Sequence, residues 1–186
     1  MIHSDQQVDA KGLACPMPII KTKKAMQEVK EGQVLEIQAT DKGSTADIKA
    51  WSTAVGHQYI GSIEQENVLR HYIRKCNPQK SAQQEKKFIH TVTNEEAILK
   101  DGVIIDVREA AEYAFGHIPA AISIPLGELE NHLEKLDMNQ EYFVICRTGT
   151  RSDLAAQQLQ QAGFKKIYNV LPGMSTYTGE LKKEVI

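Results

Sequence analysis

The sequence predicts an α/β protein in two parts. The first is a two-layer α/β sandwich of order β-α-β-α-β-β, one sheet with both helices on one face. The second is a parallel sheet with helices on both faces. Three observations carry this. Residues 1–75 hold two stretches of helical apolar spacing and end in two successive strands. Residues 88–186 alternate strand-like and helix-like runs throughout, the signature of βα units. Between them, Lys75 to Lys87 is polar, contains Pro78 and lacks any apolar period, so residues 76–87 read as a linker.

The elements follow in order. Gln7 to Asp9 reads as a short strand. Pro16 to Val29 reads as a helix, with Ile19, Ile20, Lys23 and Met26 near helical spacing and Gly32 closing it. Val34 to Ala39 is a strand, and a helix from Ser44 or Thr45 carries Ile48, Trp51 and Val55 before Gly56. Strands His57–Glu64 and Val68–Arg74 flank the turn Gln65-Glu66-Asn67. In the second part, Phe88–Val92, Val103–Asp106, Ala121–Ile124, Tyr142–Ile145 and Lys166–Val170 read as strands. Helices are expected from the capping box Thr93-Asn94-Glu95-Glu96 to Leu99, over Glu109–Ala114, over Leu126–Leu136 and over Ser152–Ala162. Ligands of such parallel sheets bind at the carboxyl ends of strands. Cys146 stands at one such end, and Asp106 and Arg108 at another.

Apolar content of 41% and charged content of 25% are those of an ordinary globular protein. A net charge of −2 gives no support to direct nucleic-acid binding. The charge is uneven: ten basic and nine acidic residues in 1–75, against nine and fourteen in 88–186. No apolar run is long enough to span a membrane, and Met1 to Gln7 lacks a signal-peptide core. Three cysteines at wide spacing argue against a disulfide framework and fit a reducing cytoplasm, where a positioned thiol is more often catalytic. No His or Cys pair has metal-ligand spacing, and neither metal nor cofactor is expected.

The candidate chemistry centres on Cys146-Arg147-Thr148-Gly149-Thr150-Arg151-Ser152, a thiol at a strand-loop-helix hinge. Loop N–H groups and a helix N-terminus can converge on negative charge there. Such settings lower a thiol from ~8.5 to about 3.5–7.5. A buried core Cys has no need of the Gly, Thr and two Arg that follow. Cys15 precedes Pro16, which suits the first helical position, and so Cys15 falls at the N-cap, where the helix dipole favours an anionic sulfur. On spacing alone, a reactive Cys15 and an incidental one stand about even. Cys76, in the linker, reads as incidental.

These residues carry two family resemblances. Asp106-Val107-Arg108-Glu109, Glu112, Gly116-His117-Ile118-Pro119-Ala120-Ala121, Ile124-Pro125, the Cys146 loop and Gly173-Met174 make residues 88–186 resemble a rhodanese (sulfurtransferase) domain. Pro172 and Tyr177 depart from the pattern, where the family usually has Gly and Trp. Asp9, Gly12-Leu13, Cys15-Pro16-Met17-Pro18, Gly32, Asp41, Trp51 and Gly56-His57 make residues 5–75 resemble the TusA/SirA-like sulfur carriers. The resemblance implies a rhodanese-like fold in the second part and persulfide chemistry at both Cys146 and Cys15.

On that basis Cys146 attacks the outer sulfur of thiosulfate or a low-molecular-weight persulfide, becomes a persulfide, and passes the sulfur to a thiol acceptor. Backbone N–H groups of residues 147–151 stabilise the charge, Arg147 and Arg151 attract the donor, and Thr148 and Thr150 add hydroxyls. Gly149 belongs to the same cradle, and Pro16 and Pro18 support Cys15. Arg108 has two readings: a buried ion pair with a carboxylate such as Glu112, which is favoured, or contact with substrate. His117 reads as a turn residue rather than a base. The C-x4-R spacing is one residue shorter than the C-x5-R of cysteine phosphatases and arsenate reductases, and fits a single sulfur better than a tetrahedral oxyanion. The linker, at most ~45 Å extended and roughly 20 Å if flexible, allows both cysteines to meet. A carrier or redox sensor that loads sulfur without turnover stays as the alternative to an enzyme. An acceptor protein and a homodimer stay open.

Overall fold

The structure, a computed structural model, describes residues 2–77 and 85–185. The chain divides into two compact units, and the division falls within residues 78–84, outside the described set. Part of the expected linker 76–87 therefore lies outside the described residues. No described helix is long and apolar enough to cross a membrane.

The first unit is one four-stranded sheet of order β1-β2-β4-β3. Its strands are β1 (Gln6–Ala10), β2 (Val34–Ala39), β3 (Gln58–Gln65) and β4 (Val68–Arg74). β1 runs parallel to β2, while β4 is antiparallel to β2 and β3. The β3–β4 turn places Glu66 and Asn67 at φ 53 and 61, the left-handed pair a tight hairpin needs. Strand alternation turns Leu35, Ile37 and Ile73 to one face, where α1 (Met17–Glu28) and α2 (Ser44–Ala54) bury Met26 and Ile48 against them. This is the expected two-layer arrangement.

Cys15 is not the N-cap. Pro16 takes that position with φ −96 and ψ 11, the helix begins at Met17, and Pro18 fills its first turn. Pro18 has no N–H, so it satisfies the start of the helix without a capping side chain. Cys15 is thus displaced outward from the end of the dipole.

The second unit is a five-stranded, all-parallel sheet of order β5-β9-β8-β6-β7. Its strands are β5 (Thr91–Thr93), β6 (Val103–Asp106), β7 (Ile122–Ser123), β8 (Tyr142–Ile145) and β9 (Ile167–Leu171). Alternation divides the core. Ile105, Tyr142, Val144 and Cys146 pack on one face with Leu129 and with Ala155, Ala156 and Leu159 of α5 (Thr150–Gln161). Ile104, Phe143 and Ile145 pack on the other with Ala97 of α3 (Asn94–Leu99) and Tyr113 of α4 (Ala110–Phe115). Because Cys146 continues the Tyr142–Val144 face, its sulfur lies on the side where α5 begins. The capping box of α3 is present: Glu96 N–H donates to Thr93 Oγ1 at 3.1 Å, and Thr93 N–H to Glu96 Oε2 at 2.8 Å.

Two expectations are corrected. The strand expected over Phe88–Val92 forms only as β5, because the N–H groups of Lys87 and Phe88 donate instead to Asp153 Oδ2 and Oδ1 at 3.1 and 2.9 Å. The stretch expected to be α-helical over Leu126–Leu136 is a 3-10 segment over Leu126–Lys135. Its three-residue repeat puts Leu126 and Leu129 on the same side, toward the core.

Asp153 is therefore the clamp that ties the start of this unit to α5. Asp153→Ala leaves two backbone donors without their acceptor and should destabilise the unit by about 2–3 kcal/mol. Hydrogen exchange checks this: the Phe88 amide should lose protection while the amides of β2 and β4 keep theirs.

Candidate active site

Cys146 is 1% exposed, and its sulfur is met by two donors. Gly149 N–H reaches Sγ at 3.1 Å and Ser152 Oγ lies 3.3 Å away. Gly149 adopts φ +87, and a Cβ there would stand 2.1 Å from Leu171 Cδ2, so only glycine turns this amide inward. From behind, Met174 N–H and Ser175 N–H take the carbonyls of Cys146 and Arg147, each at 2.9 Å. A Cβ on Gly173 would meet the Cys146 carbonyl at 2.5 Å, so glycine is required there as well. With these carbonyls held outward, the loop's inner side is left to donors.

Ser152 and Asn169 complete the cradle, and both are fully buried. Ser152 Oγ lies 2.6 Å from Asn169 Oδ1, and Asn169 Nδ2 donates to the Gly149 carbonyl at 3.2 Å. One amide on β9 thus holds both groups that touch the sulfur. The single hydroxyl proton of Ser152 faces two acceptors, and a negative sulfur competes best for it. Sequence reasoning included Ser152 in the loop without a role and missed Asn169. A buried Asn in an otherwise apolar strand was the available signal.

Arg151, expected to attract the donor, is held by a buried carboxylate. Its guanidinium grips Glu112 through Nη1–Oε2 at 2.6 Å and Nη2–Oε1 at 2.9 Å, with Glu109 3.5 Å away. Burial works against its charge, but Glu112, Cys146 and Glu109 together hold it above its ordinary value. Glu112 is 3% exposed and needs this countercharge. The pairing also corrects the partner expected for Arg108. Arg108 binds Asp106 through Nε–Oδ1 at 2.9 Å and Nη2–Oδ2 at 2.6 Å, and donates to the Gly116 carbonyl at 2.8 Å. Arg147 and Thr148 are exposed on the loop, and Thr150 begins α5. Among the described residues, neither threonine hydroxyl has a hydrogen bond to the sulfur. His117 stacks on Tyr113 at 3.7 Å and accompanies its carbonyl at 2.9 Å, with no contact to Cys146.

Cys15 meets the opposite surroundings. It is exposed, and its thiol donates to Asp47 Oδ2 at 3.2 Å. That hydrogen bond, some burial, and the charges of Asp47 and Asp41 push the thiol up, against the expectation of an anionic sulfur at a helix end. Pro16, Pro18, Ile19, Ser44 and Ile48 line the same shallow depression with both carboxylates. A buried chain fixes the start of α2 beside it. Tyr59 OH lies 3.0 Å from His71 Nδ1, His71 Nε2 lies 3.1 Å from Ser44 Oγ, and Ser44 Oγ donates to the Asp41 carbonyl at 2.5 Å. Cys76, expected to be incidental, is held within the first unit, with Arg74 Nη1 3.4 Å from its sulfur and its carbonyl near His57. No group of three or more potential metal ligands occurs among the described residues.

Burial pushes His71 down to about 4 from its ordinary 6.5. The unfolded chain therefore binds the extra proton first, and stability is full above pH 6.5 and falls as the pH drops toward 4. The loss should approach roughly 3 kcal/mol. Trp51, the one tryptophan, sits in α2 and reports it by fluorescence during urea unfolding. His71→Gln should flatten the dependence.

Residues 6–75 match the family Sulfurtransferase TusA, and residues 91–180 match the Rhodanese-like domain. YrkF of Bacillus subtilis, named as a candidate sulfur carrier protein, is 46% identical over 97% of this chain and 99% of its own length. The sulfur carrier protein TusA of Allochromatium vinosum is 39% identical over 40% of this chain and 99% of its own. YtwF of Bacillus subtilis, named as a candidate sulfurtransferase, is 42% identical over 53% of this chain and 96% of its own. The chain accordingly belongs to the family in which a TusA sulfur-carrier domain and a rhodanese-like domain share one polypeptide.

Proposed function

We propose that the protein is a sulfurtransferase that takes sulfane sulfur from thiosulfate or a low-molecular-weight persulfide onto Cys146 and uses Cys15 as a second persulfide carrier. The observation that carries this reading is the convergence of Gly149 N–H and the Ser152 hydroxyl on one buried sulfur. Cys146 attacks the outer sulfur of the donor, the donor's S–S bond breaks, and the leaving group departs with the electron pair. The same two donors hold the attacking thiolate as an oxyanion hole does, and the persulfide that forms carries its charge on the outer sulfur. Arg147, exposed and on the loop, is a cation available to draw an anionic donor in. Thr148 and Thr150 lie on the same loop and at the start of α5, and Asp106 and Arg108 brace the neighbouring strand end.

Phosphatase chemistry is disfavoured by the same geometry. A phosphate cradle needs a guanidinium free to grip the oxyanion, and that of Arg151 is spent on Glu112. Sulfur then passes from Cys146 to Cys15 or to an outside thiol. Tethering places the two thiols at an effective concentration on the order of millimolar. A reducing compartment such as the cytoplasm suits three free cysteines.

The names of YrkF and TusA favour a second reading, in which the chain carries sulfur to a partner protein without turnover. Steady-state assay of thiosulfate and glutathione persulfide with a thiol acceptor separates the two. Many turnovers, abolished in Cys146→Ser and retained in part in Cys15→Ser, support the enzyme; one stoichiometric loading supports the carrier. Ser152→Ala should slow loading of Cys146 about 10- to 100-fold, the equivalent of one hydrogen bond to a charged group.

A further inference from the structure

Resting on the reading of Cys15 as a persulfide carrier, we propose that Asp47 is the acid–base residue of Cys15, taking the proton of its thiol as sulfur arrives and returning it as sulfur leaves. The contact itself points this way. An ionised carboxylate has no hydrogen to donate, so the 3.2 Å contact between Sγ and Asp47 Oδ2 exists only while the sulfur carries the proton. Cys15 is thus held as a thiol, yet only a thiolate attacks sulfane sulfur. A base has to act, and Asp47 is the group in reach. Asp41, the other carboxylate in the depression, has its Oδ1 3.2 Å from Gly43 N–H and no hydrogen bond to the thiol among those described. His71 is separated from the depression by Ser44.

The step balances without an oxidant. Sγ passes its proton to Asp47 Oδ2 and forms a bond to the outer sulfur of a donor persulfide. The donor's S–S bond breaks, and the electron pair leaves with the donor thiolate. Asp47 then releases the proton to that thiolate or to water. Unloading is the reverse. Asp47 takes the proton of an acceptor thiol, the thiolate so formed bonds to the outer sulfur, the Cys15 S–S bond breaks, and the Cys15 sulfur departs with the electron pair and takes up that proton from Asp47. A bare thiolate is therefore never left beside Asp47 and Asp41, whose charges oppose it. The thiol-to-carboxylate hydrogen bond in the structure is the end point of that proton return.

The test uses the full-length chain with Cys146→Ser, so that only Cys15 answers, and peptide mapping to separate Cys15 from Cys76. Two rates are compared for Asp47 and Asp47→Asn. One is alkylation of Cys15 by iodoacetamide at neutral pH, which needs only the thiolate. The other is single-turnover loading of Cys15 from glutathione persulfide and its unloading to a thiol. The expected result is opposite movement: alkylation several-fold faster, because the carboxylate no longer opposes ionisation, and sulfur transfer about 10- to 100-fold slower. Asp47→Glu should recover part of the transfer. Both rates rising would reduce Asp47 to a passive charge and overturn the proposal; so would unchanged transfer, or both rates falling with Trp51 fluorescence intact. Should Trp51 fluorescence show that Asp47→Asn misfolds, Asp47→Ser takes its place under the same criteria. If Cys15 with Asp47 intact takes up no sulfur, the carrier reading itself fails, a result distinct from normal loading in Asp47→Asn.

Discussion

Two hydrogen-bond donors aimed at one buried sulfur set the terms for the second unit. Cys146 is almost wholly enclosed, and an anion so placed is costly unless donors are already aimed at it. The loop after β8 supplies them only because its backbone is turned inward. That turn depends on left-handed Gly149, on Gly173 lying close behind the loop, and on Asn169 holding both the Gly149 carbonyl and the Ser152 hydroxyl. The Arg151–Glu112 pair pins the start of α5 to α4, and Asp153 pins the start of the unit to α5. Together these contacts hold the loop with its donors on the thiol.

The two cysteines occupy contrasting electrostatic settings. Cys146 faces donors and is buried; Cys15 faces a carboxylate and is exposed. The carboxylates of Asp47 and Asp41 oppose ionisation of the second. Cys146 is enclosed by the loop, whereas Cys15 stands at the surface, open to another thiol. This division suits a chain in which one sulfur captures and the other delivers, and it follows from side chains within each unit alone.

Much of this was legible in the sequence where the causes are local. Apolar alternation in Val34–Ala39 and Tyr142–Ile145, the capping box at Thr93 and the Cys146 loop are all contiguous, and each was read in place. The features missed are pairings between distant segments. Arg151 and Glu112 are separated by 39 residues, and Cys15 and Asp47 by 32. Counting charges near a thiol suggested two free arginines in the loop; only the fold shows that one is already matched. Similarly, Pro16 looked like a first helical residue, whereas it is the N-cap and Pro18 takes the first turn. The strand expected from Phe88 shortened because Asp153, far along the chain, competes for its backbone donors.

The proposed passage of sulfur through both thiols can be followed directly. The most direct measurement is to load Cys146 with isotopically labelled sulfane sulfur in a single turnover, quench at intervals, and locate the label by mass spectrometry of the cysteine peptides. The relay gives label first on Cys146 and then on Cys15, with none appearing on Cys15 when Cys146→Ser is given thiosulfate. Label that stays on Cys146 until an outside thiol removes it, while Cys15 remains unlabelled throughout, would contradict it.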